Sequence, residues 1–322
     1  MLLKKIEENI KHIINNKPKI LLGLSGGPDS VFLFHFLKNL HEKEKIKLIC
    51  AHLDHGWRSE SAQELKFCVE LCKKYKINVF TEHSKNLCLN FKFNGSKEEL
   101  GRKLRRYFLE KIFKNQNADL IALAHHLQDQ QETFIFRIIR GCSLDGMSCM
   151  KLINTPYFRP LLNINKQQIL DYLNNKIEYL TDKTNFSDNF LRNRIRKYVL
   201  PELQKCDSRF DQKFESSIKN LQQENEFLKN LTQEIYQKTF KEKSFDKNKK
   251  SIGDLKEFLM LDQVLQKRII IYWLVKENLK FNPSKNYFDE ILKFLKSEHG
   301  GSHNLSKNWA LHKKQNKFWI EK

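Results

Sequence analysis

Ile20-Leu21-Leu22-Gly23-Leu24-Ser25-Gly26-Gly27-Pro28-Asp29-Ser30 is the stretch on which the fold turns. A short apolar run ends in Ser-Gly-Gly, and residues 30–40 then place apolar side chains at helical spacing, so the segment reads as strand, glycine loop, helix. The unit recurs outward from there. Residues 48–53, 77–81 and 120–124 read as strands, and residues 62–75, 97–113 and 128–140 as helices. Strands that alternate with helices predict an α/β domain built on a doubly wound parallel sheet. Such sheets bind ligands beyond the carboxyl ends of their strands, so the residues just after each strand are the candidates for chemistry.

After residue 190 the strand signals stop. Residues 190–203, 208–239 and 255–277 read as amphipathic helices, the Lys-rich segment 241–250 as an exposed loop, and residues 304–320 as a terminal β-hairpin turning at Lys313-Lys314-Gln315-Asn316. A chain of 322 residues suits two domains, drawn at 1–203 and 204–322, the second smaller and mainly helical.

Fifty-eight Lys and Arg against 38 Asp and Glu leave a formal charge of +20, which favours a polyanionic partner through counterion release. A Lys-rich composition shaped by codon usage is the alternative source of that charge. The longest apolar runs fall far short of the roughly 20 residues of a membrane span, so no membrane partner is expected. The first residues alternate charge with apolar side chains at helical spacing and lack the continuous apolar core of an export signal, which makes the cytoplasm the expected address. Seven cysteines contain no C-x-x-C pair, an arrangement that disfavours a structural zinc site or a dithiol redox couple.

Ser25, Gly26, Gly27, Pro28, Asp29 and Ser30 sit where a helix begins, and small residues there let backbone N–H groups close on an anion. The loop is a phosphate cradle. It matches neither G-x-x-x-x-G-K-S/T nor G-x-G-x-x-G, which sets aside GTPase-type triphosphatases and dinucleotide oxidoreductases. Asp129 and Glu132 lie three apart at a helix start beyond the fourth strand, hence on one face, where a carboxylate pair can hold an ammonium group; an acidic first turn favoured by the helix dipole is the alternative. His55, Gly56 and Arg58 follow the second strand, where glycine permits close approach and arginine can neutralise phosphate. Arg192, Arg194 and Arg196 open a helix and are candidate RNA-backbone contacts.

The string Ser25-Gly-Gly-Pro-Asp-Ser30 resembles the pyrophosphate loop of the ATP pyrophosphatases, which cleave ATP between its α and β phosphates. The resemblance continues in order through His52-Leu-Asp54-His55-Gly56-Trp57-Arg58, Glu99-Leu-Gly-Arg102-Lys-Leu-Arg105, Ala124-His125-His126-Leu-Gln128-Asp129, Arg140-Gly141, Arg159-Pro-Leu-Leu162, Asp182-Lys-Thr-Asn185 and Arg192-Asn-Arg194-Ile-Arg196. Together these are similar to the tRNA(Ile)-lysidine synthetase family, densely over residues 20–203 and loosely beyond, and the extra C-terminal domain of the family's longer members is not expected. That resemblance implies a ligase. It would adenylate the wobble cytidine of a CAU-anticodon isoleucine tRNA with ATP and Mg²⁺, then displace AMP with the ε-amine of free L-lysine. It further implies that residues 25–30 hold the ATP phosphates, with Asp29 catalytic and placed for Mg²⁺. His55, Gly56 and Arg58 would contact the nucleotide, His126, Asp129 and Glu132 would meet substrate, and Asp129 and Glu132 would hold the lysine ammonium. A homodimer is left open.

Two positions depart from the family pattern. Asp54 stands where Asn precedes His-Gly, and Gln128 where the first of two Asp residues is usual. The competing readings are a tRNA thiolase, NAD synthetase or GMP synthetase that shares the ATP loop, or a catalytically silent tRNA-binding relative.

Overall fold

In the computed structural model the strand–loop–helix unit is β1 (Lys19–Gly23) and α2 (Pro28–Glu42), preceded by α1 (Leu2–Ile10). Residues 2–57, 60–87, 97–174, 176–181, 190–245, 248–282 and 284–322 are described. The unit repeats as β2 (Lys47–Asp54), α3 (Ser61–Lys74), β3 (Val79–His83), α4 (Lys97–Asn115), β4 (Leu120–Ala122) and α5 (Leu127–Arg140). Then follow α6 (Leu144–Met147), β5 (Ile153–Asn154), β6 (Tyr157–Phe158) and α7 (Lys166–Leu173).

The strands line up in the order β3-β2-β1-β4-β6-β5, parallel except for the short antiparallel β5–β6 pair. This is the expected doubly wound sheet. Successive strands step one way from β1 to β3 and then return to its other side at β4, so the switch point lies between the carboxyl ends of β1 and β4.

Side-chain alternation along β1 divides the core. Ile20, Leu22 and Leu24 pack with α1, α2 and α7 through Ile6, Phe32, Leu33 and Ile169, whereas Leu21 faces Leu104, Phe108 and Leu109 of α4. Both faces are covered, which is why β2 reads as a continuous apolar run.

The chain splits into compact units Met1–Gln222 and Gln223–Lys322. The boundary expected at 203/204 lies before this division, which falls within α10 (Phe210–Thr239), because Phe214 and Ile218 on that helix's first turns pack against Leu127 of α5. Between α7 and α10 the single helix expected over 190–203 is built in three pieces. They are α8 (Leu191–Arg194), a π-helical turn at Ile195–Val199 and α9 (Leu200–Cys206), the widened turn falling just before Pro201, which cannot donate to the ladder.

The second unit contains β7 (Phe240–Phe245), β8 (Asn248–Asp254), α11 (Leu255–Leu259), α12 (Gln263–Lys276), α13 (Lys285–Lys296), β9 (Gly301–Ser306), β10 (Trp309–Lys314) and β11 (Lys317–Glu321). The expected terminal hairpin is β10–β11, within an antiparallel sheet ordered β7-β8-β11-β10-β9. Within the segment expected to be a loop, residues 241–245 and 248–250 are strand: β7 and β8 pair in register from Phe240 with Gly253 to Phe245 with Asn248. β7 is the sheet edge, and its lysines erase the apolar alternation by which a sequence would announce a strand. The single helix expected over 255–277 is likewise two, because the Asp262 carboxylate accepts from Val264 N at 2.7 Å and starts α12 afresh. Phe240, Phe258 and Trp273 gather around Phe318 with ring centroids 5.2–5.5 Å apart, which ties this sheet to its helices.

Candidate active site

The loop after β1 is fixed from both sides. Leu24 N–H donates to Ala51 O at 2.9 Å, and Leu24 O lies 2.9 Å from Nδ1 of buried His52. Burial lowers the His52 pKa, so the ring is neutral and Nδ1–H is the donor. Gly26 adopts φ +82°, and Leu180 N–H donates to its carbonyl at 3.0 Å. A Cβ at this position would sit 3.1 Å from Leu180 Cδ1, so conformation and space both call for glycine.

Ser30 closes the turn. Its hydroxyl donates to Gly27 O at 3.0 Å, accepts from Ser25 N at 3.2 Å and lies 3.0 Å from Ser25 Oγ. With its one proton given to Gly27, the Ser25 hydroxyl is the donor to Ser30. Pro28 occupies the first helical position, where a missing N–H costs nothing. The remaining first-turn N–H groups of α2 have no intrahelical acceptor, which makes the turn a seat for an anion.

Asp29 extends from this turn toward the start of α5. Its Oδ2 lies 3.7 Å from His126 Nε2 and 4.0 Å from Lys166 Nζ, while Oδ1 is buried with no hydrogen-bond partner among the described residues. His126, whose side chain is 4% exposed, lies between two carboxylates, since its Nε2 is also 3.5 Å from Asp129 Oδ2. Asp129 in turn caps α5 by accepting from His126 N at 2.9 Å. Burial alone would raise the Asp129 pKa, but His126, His125, the capping N–H and Arg196 together hold it below the usual carboxylate value. His125 behaves oppositely. Burial, reinforced by Arg159, Arg102 and Arg105 and opposed by Asp129, pushes its pKa down to about 4, so it is neutral at pH 7.

Glu132, one turn further along α5, has a side chain only 2% exposed and is engaged by Arg196. Arg196 Nε donates to Oε1 at 2.5 Å and Nη2 to Oε2 at 3.0 Å, a bidentate pair. The π-helical turn carries that guanidinium. Its pKa is lowered by burial but raised more by Glu132, Asp129 and Asp29, so the acidic cluster around it keeps it charged.

Asp211, at the start of α10, braces this arrangement. Its carboxylate accepts from Gln131 Nε2 of α5 at 2.8 Å, from Asn165 Nδ2 at the head of α7 at 2.6 Å and from Gln204 Nε2 at 3.2 Å.

The PP-loop domain family matches residues 2–203. A tRNA(Ile)-lysidine synthase of Pseudothermotoga lettingae is 32% identical over 323 residues, covering 99% of this chain and 69% of the relative. The chain belongs to the tRNA(Ile)-lysidine synthase family of PP-loop proteins. A relative of the same name from Bacillus cereus (strain ATCC 10987 / NRS 248) is 29% identical over 306 residues, and the match takes in 91% of this chain and 63% of that protein. The chain thus spans less than two thirds of the length of the Bacillus relatives it matches. Among solved structures, a U34-tRNA thiolase from Methanococcus maripaludis superposes with a TM-score of 0.59 at 19% identity, over 69% of this chain and 78% of that one, a likeness of fold.

Residues 25–30 lie within the matched domain, and the carboxyl end of β2 lies on the strand beside β1. Gly56 N–H donates to Asp54 Oδ1 at 2.7 Å, so the Asp at this departure from the family pattern supplies the acceptor of a tight turn. Gly56 has φ +61°, and a Cβ there would lie 2.3 Å from His83 Nε2. His55 stacks on Trp57 with centroids 4.7 Å apart, and its carbonyl accepts from Ser84 Oγ at 2.7 Å. Arg58 and the 182–185 string lie outside the described residues.

The fold therefore brings Asp29, His126, Asp129, Glu132 and Arg196 together, and separates Arg196 from the two arginines read alongside it. The Arg192 guanidinium lies over the Phe136 ring at 4.7 Å, and Arg194 is exposed. The second departure, Gln128, accepts from Lys166 N at 2.9 Å and so joins the heads of α5 and α7. Sequence reasoning missed Lys166 and Asp211. The run Asn165-Lys166-Gln167-Gln168, a capping Asn with Gln three residues on, was the available signal for a helix start at Lys166.

Proposed function

We propose that this chain activates the wobble cytidine of a CAU-anticodon isoleucine tRNA with ATP and replaces the resulting AMP with the ε-amine of free lysine, giving lysidine. The observation that carries this is the chain of contacts from the PP-loop to the carboxylate in the first turn of α5, Asp29 to His126 at 3.7 Å and His126 to Asp129 at 3.5 Å. On this reading a phosphate seat and an ammonium seat would follow the adjacent strands β1 and β4 at the switch point of one sheet.

In the first step the cytidine O2 attacks the α-phosphorus and pyrophosphate leaves. The N–H groups of residues 25–30 take up charge on the phosphates. Asp29 fits Mg²⁺, because its buried Oδ1 is unpartnered among the described residues and a hard cation shared with phosphate oxygens needs few protein ligands. Bound there, the ion would neutralise the departing pyrophosphate.

In the second step the amine forms a bond to carbon 2 and AMP departs. The lysine ammonium must first lose a proton. Asp129, ionised at neutral pH, holds and orients it. Glu132, saturated by Arg196, maintains the local geometry. Gln128 has a structural task at the head of α7.

Residues 204–322 would meet the tRNA. Within the second unit Lys267, Lys285, Lys293 and Lys296 line one groove, a surface suited to RNA phosphates. The cytoplasm is the proposed location, and no described helix is long and apolar enough to cross a membrane.

The test supplies ATP labelled in its α-phosphate, Mg²⁺ and the tRNA without lysine. Label should join the tRNA and leave as AMP when lysine is added. Label that never transfers without lysine contradicts the two-step assignment.

A further inference from the structure

Three helix starts meet at Asp29. The PP-loop opens α2, and the heads of α5 and α7 are joined by Leu127 N–H to Ile164 O at 2.9 Å and Lys166 N–H to Gln128 Oε1 at 2.9 Å. Lys166 is the first residue of α7, and its side chain runs from that junction to Asp29, ending 4.0 Å from Oδ2.

The root of Lys166 is fixed while its tip is loose. Beside the root, Asn165 accepts from Gln167 N at 2.8 Å and donates to Asp211 at 2.6 Å. The ammonium, by contrast, stands beyond hydrogen-bond distance of Asp29, with the side chain 38% exposed. A cation placed in this way contributes little to folding. It is positioned to gain much more from a multiply charged anion seated on the adjacent loop. Gln128 anchors the Lys166 backbone without adding a carboxylate, so no negative charge at that position competes for the ammonium. His126, nearly buried between Asp29 and Asp129, adds a second donor directed at the same acidic cluster.

We infer that Lys166 is a triphosphate-binding residue: it neutralises Asp29 before ATP arrives and moves onto the β or γ phosphate when ATP fills the PP-loop. This rests on the ATP-dependent reading of the site given above. In that role Lys166 meets the phosphates that AMP lacks.

The test compares binding of Mg²⁺–ATP and of AMP by equilibrium dialysis in the full-length protein, its Lys166→Met variant and its Lys166→Arg variant. Loss of a charge-assisted contact predicts that Lys166→Met weakens ATP roughly tenfold or more, that AMP changes less than about twofold, and that Lys166→Arg restores most of the ATP affinity. Thermal melting of each variant reports folding, and Lys166→Gln serves as a second neutral variant should the Met variant melt early. If the wild-type protein binds ATP and the neutral variants bind it equally well, or lose ATP and AMP alike, the inference falls alone. Should the wild type bind no ATP, the inference falls together with the ATP-dependent reading.

Discussion

Arg196 grips Glu132 with two hydrogen bonds across 64 residues of sequence, and the carboxylate it holds is almost wholly buried. Each side chain is thereby the other's main partner. Removing the arginine strands a buried charge, whereas removing both is milder. Because Arg196 is 39% exposed, the expected cost of Arg196→Met is about 1–3 kcal/mol, below that of a fully buried pair. Urea unfolding of Arg196→Met, Glu132→Gln and the double variant checks this. A double variant at least as stable as Arg196→Met is expected, and strict additivity would show that the pair is not coupled.

Asp129→Asn separates the two chemical steps. The amide keeps the cap on α5 but cannot bind an ammonium by charge. Adenylation of tRNA should persist, while release of AMP by lysine falls by roughly 10²-fold or more. Single-turnover assays of each half-reaction resolve the two. Equal losses in both steps would remove Asp129 from amine capture.

His125 gives the protein a pH-sensitive leg. Its folded pKa of about 4 lies below the ordinary value near 6.5, so between these pH values the unfolded chain binds more protons. Stability should be level above about pH 6.5 and fall by on the order of 2–3 kcal/mol as the pH drops to about 4. Asp129, whose pKa is depressed, adds a further loss at lower pH as its carboxylate protonates. His125→Gln should flatten the upper of these two slopes in denaturant titrations from pH 4 to 7, and an unchanged slope would show that His125 is not the group.

The sheet, the glycine loop between β1 and α2 and the carboxylate-bearing helix were legible because each strand switches to a helix at a turn signal, and a buried parallel strand is uniformly apolar. β5 and β6 escaped because two residues carry no period. β7 escaped because an edge strand rich in lysine looks like a loop, and the break between α11 and α12 because apolar spacing continued through the cap at Asp262. In the candidate site, the positions of Asp29 and Asp129 just beyond β1 and β4 were legible from the strand–helix alternation, and the fold brings both within 3.7 Å of His126. The pairing of Glu132 with Arg196 did not, since it depends on the π-helical turn that orients one side chain toward another far away in sequence. Lys166 was hidden for the same reason: only the packing of α7 brings its ammonium to Asp29.

The lysine groove of the second unit predicts how tRNA binding responds to salt. Changing Lys267, Lys285, Lys293 and Lys296 together to Gln should weaken tRNA binding and lower the slope of log affinity against log salt by roughly one unit per lost phosphate contact. ATP affinity should not change. Lys267 pairs with Asp289 at 3.2 Å, so the variant's melting temperature is measured alongside. A folded variant with the wild-type salt slope would place the RNA surface elsewhere.

The central claim is tested most directly by mass analysis of the nucleosides from a CAU-anticodon isoleucine tRNA incubated with the protein, ATP, Mg²⁺ and lysine. One cytidine, at the wobble position, should gain the mass of lysine less one water, and only when both ATP and lysine are present. An unchanged cytidine with a fully folded, ATP-binding protein, or the same gain without ATP, would contradict the account.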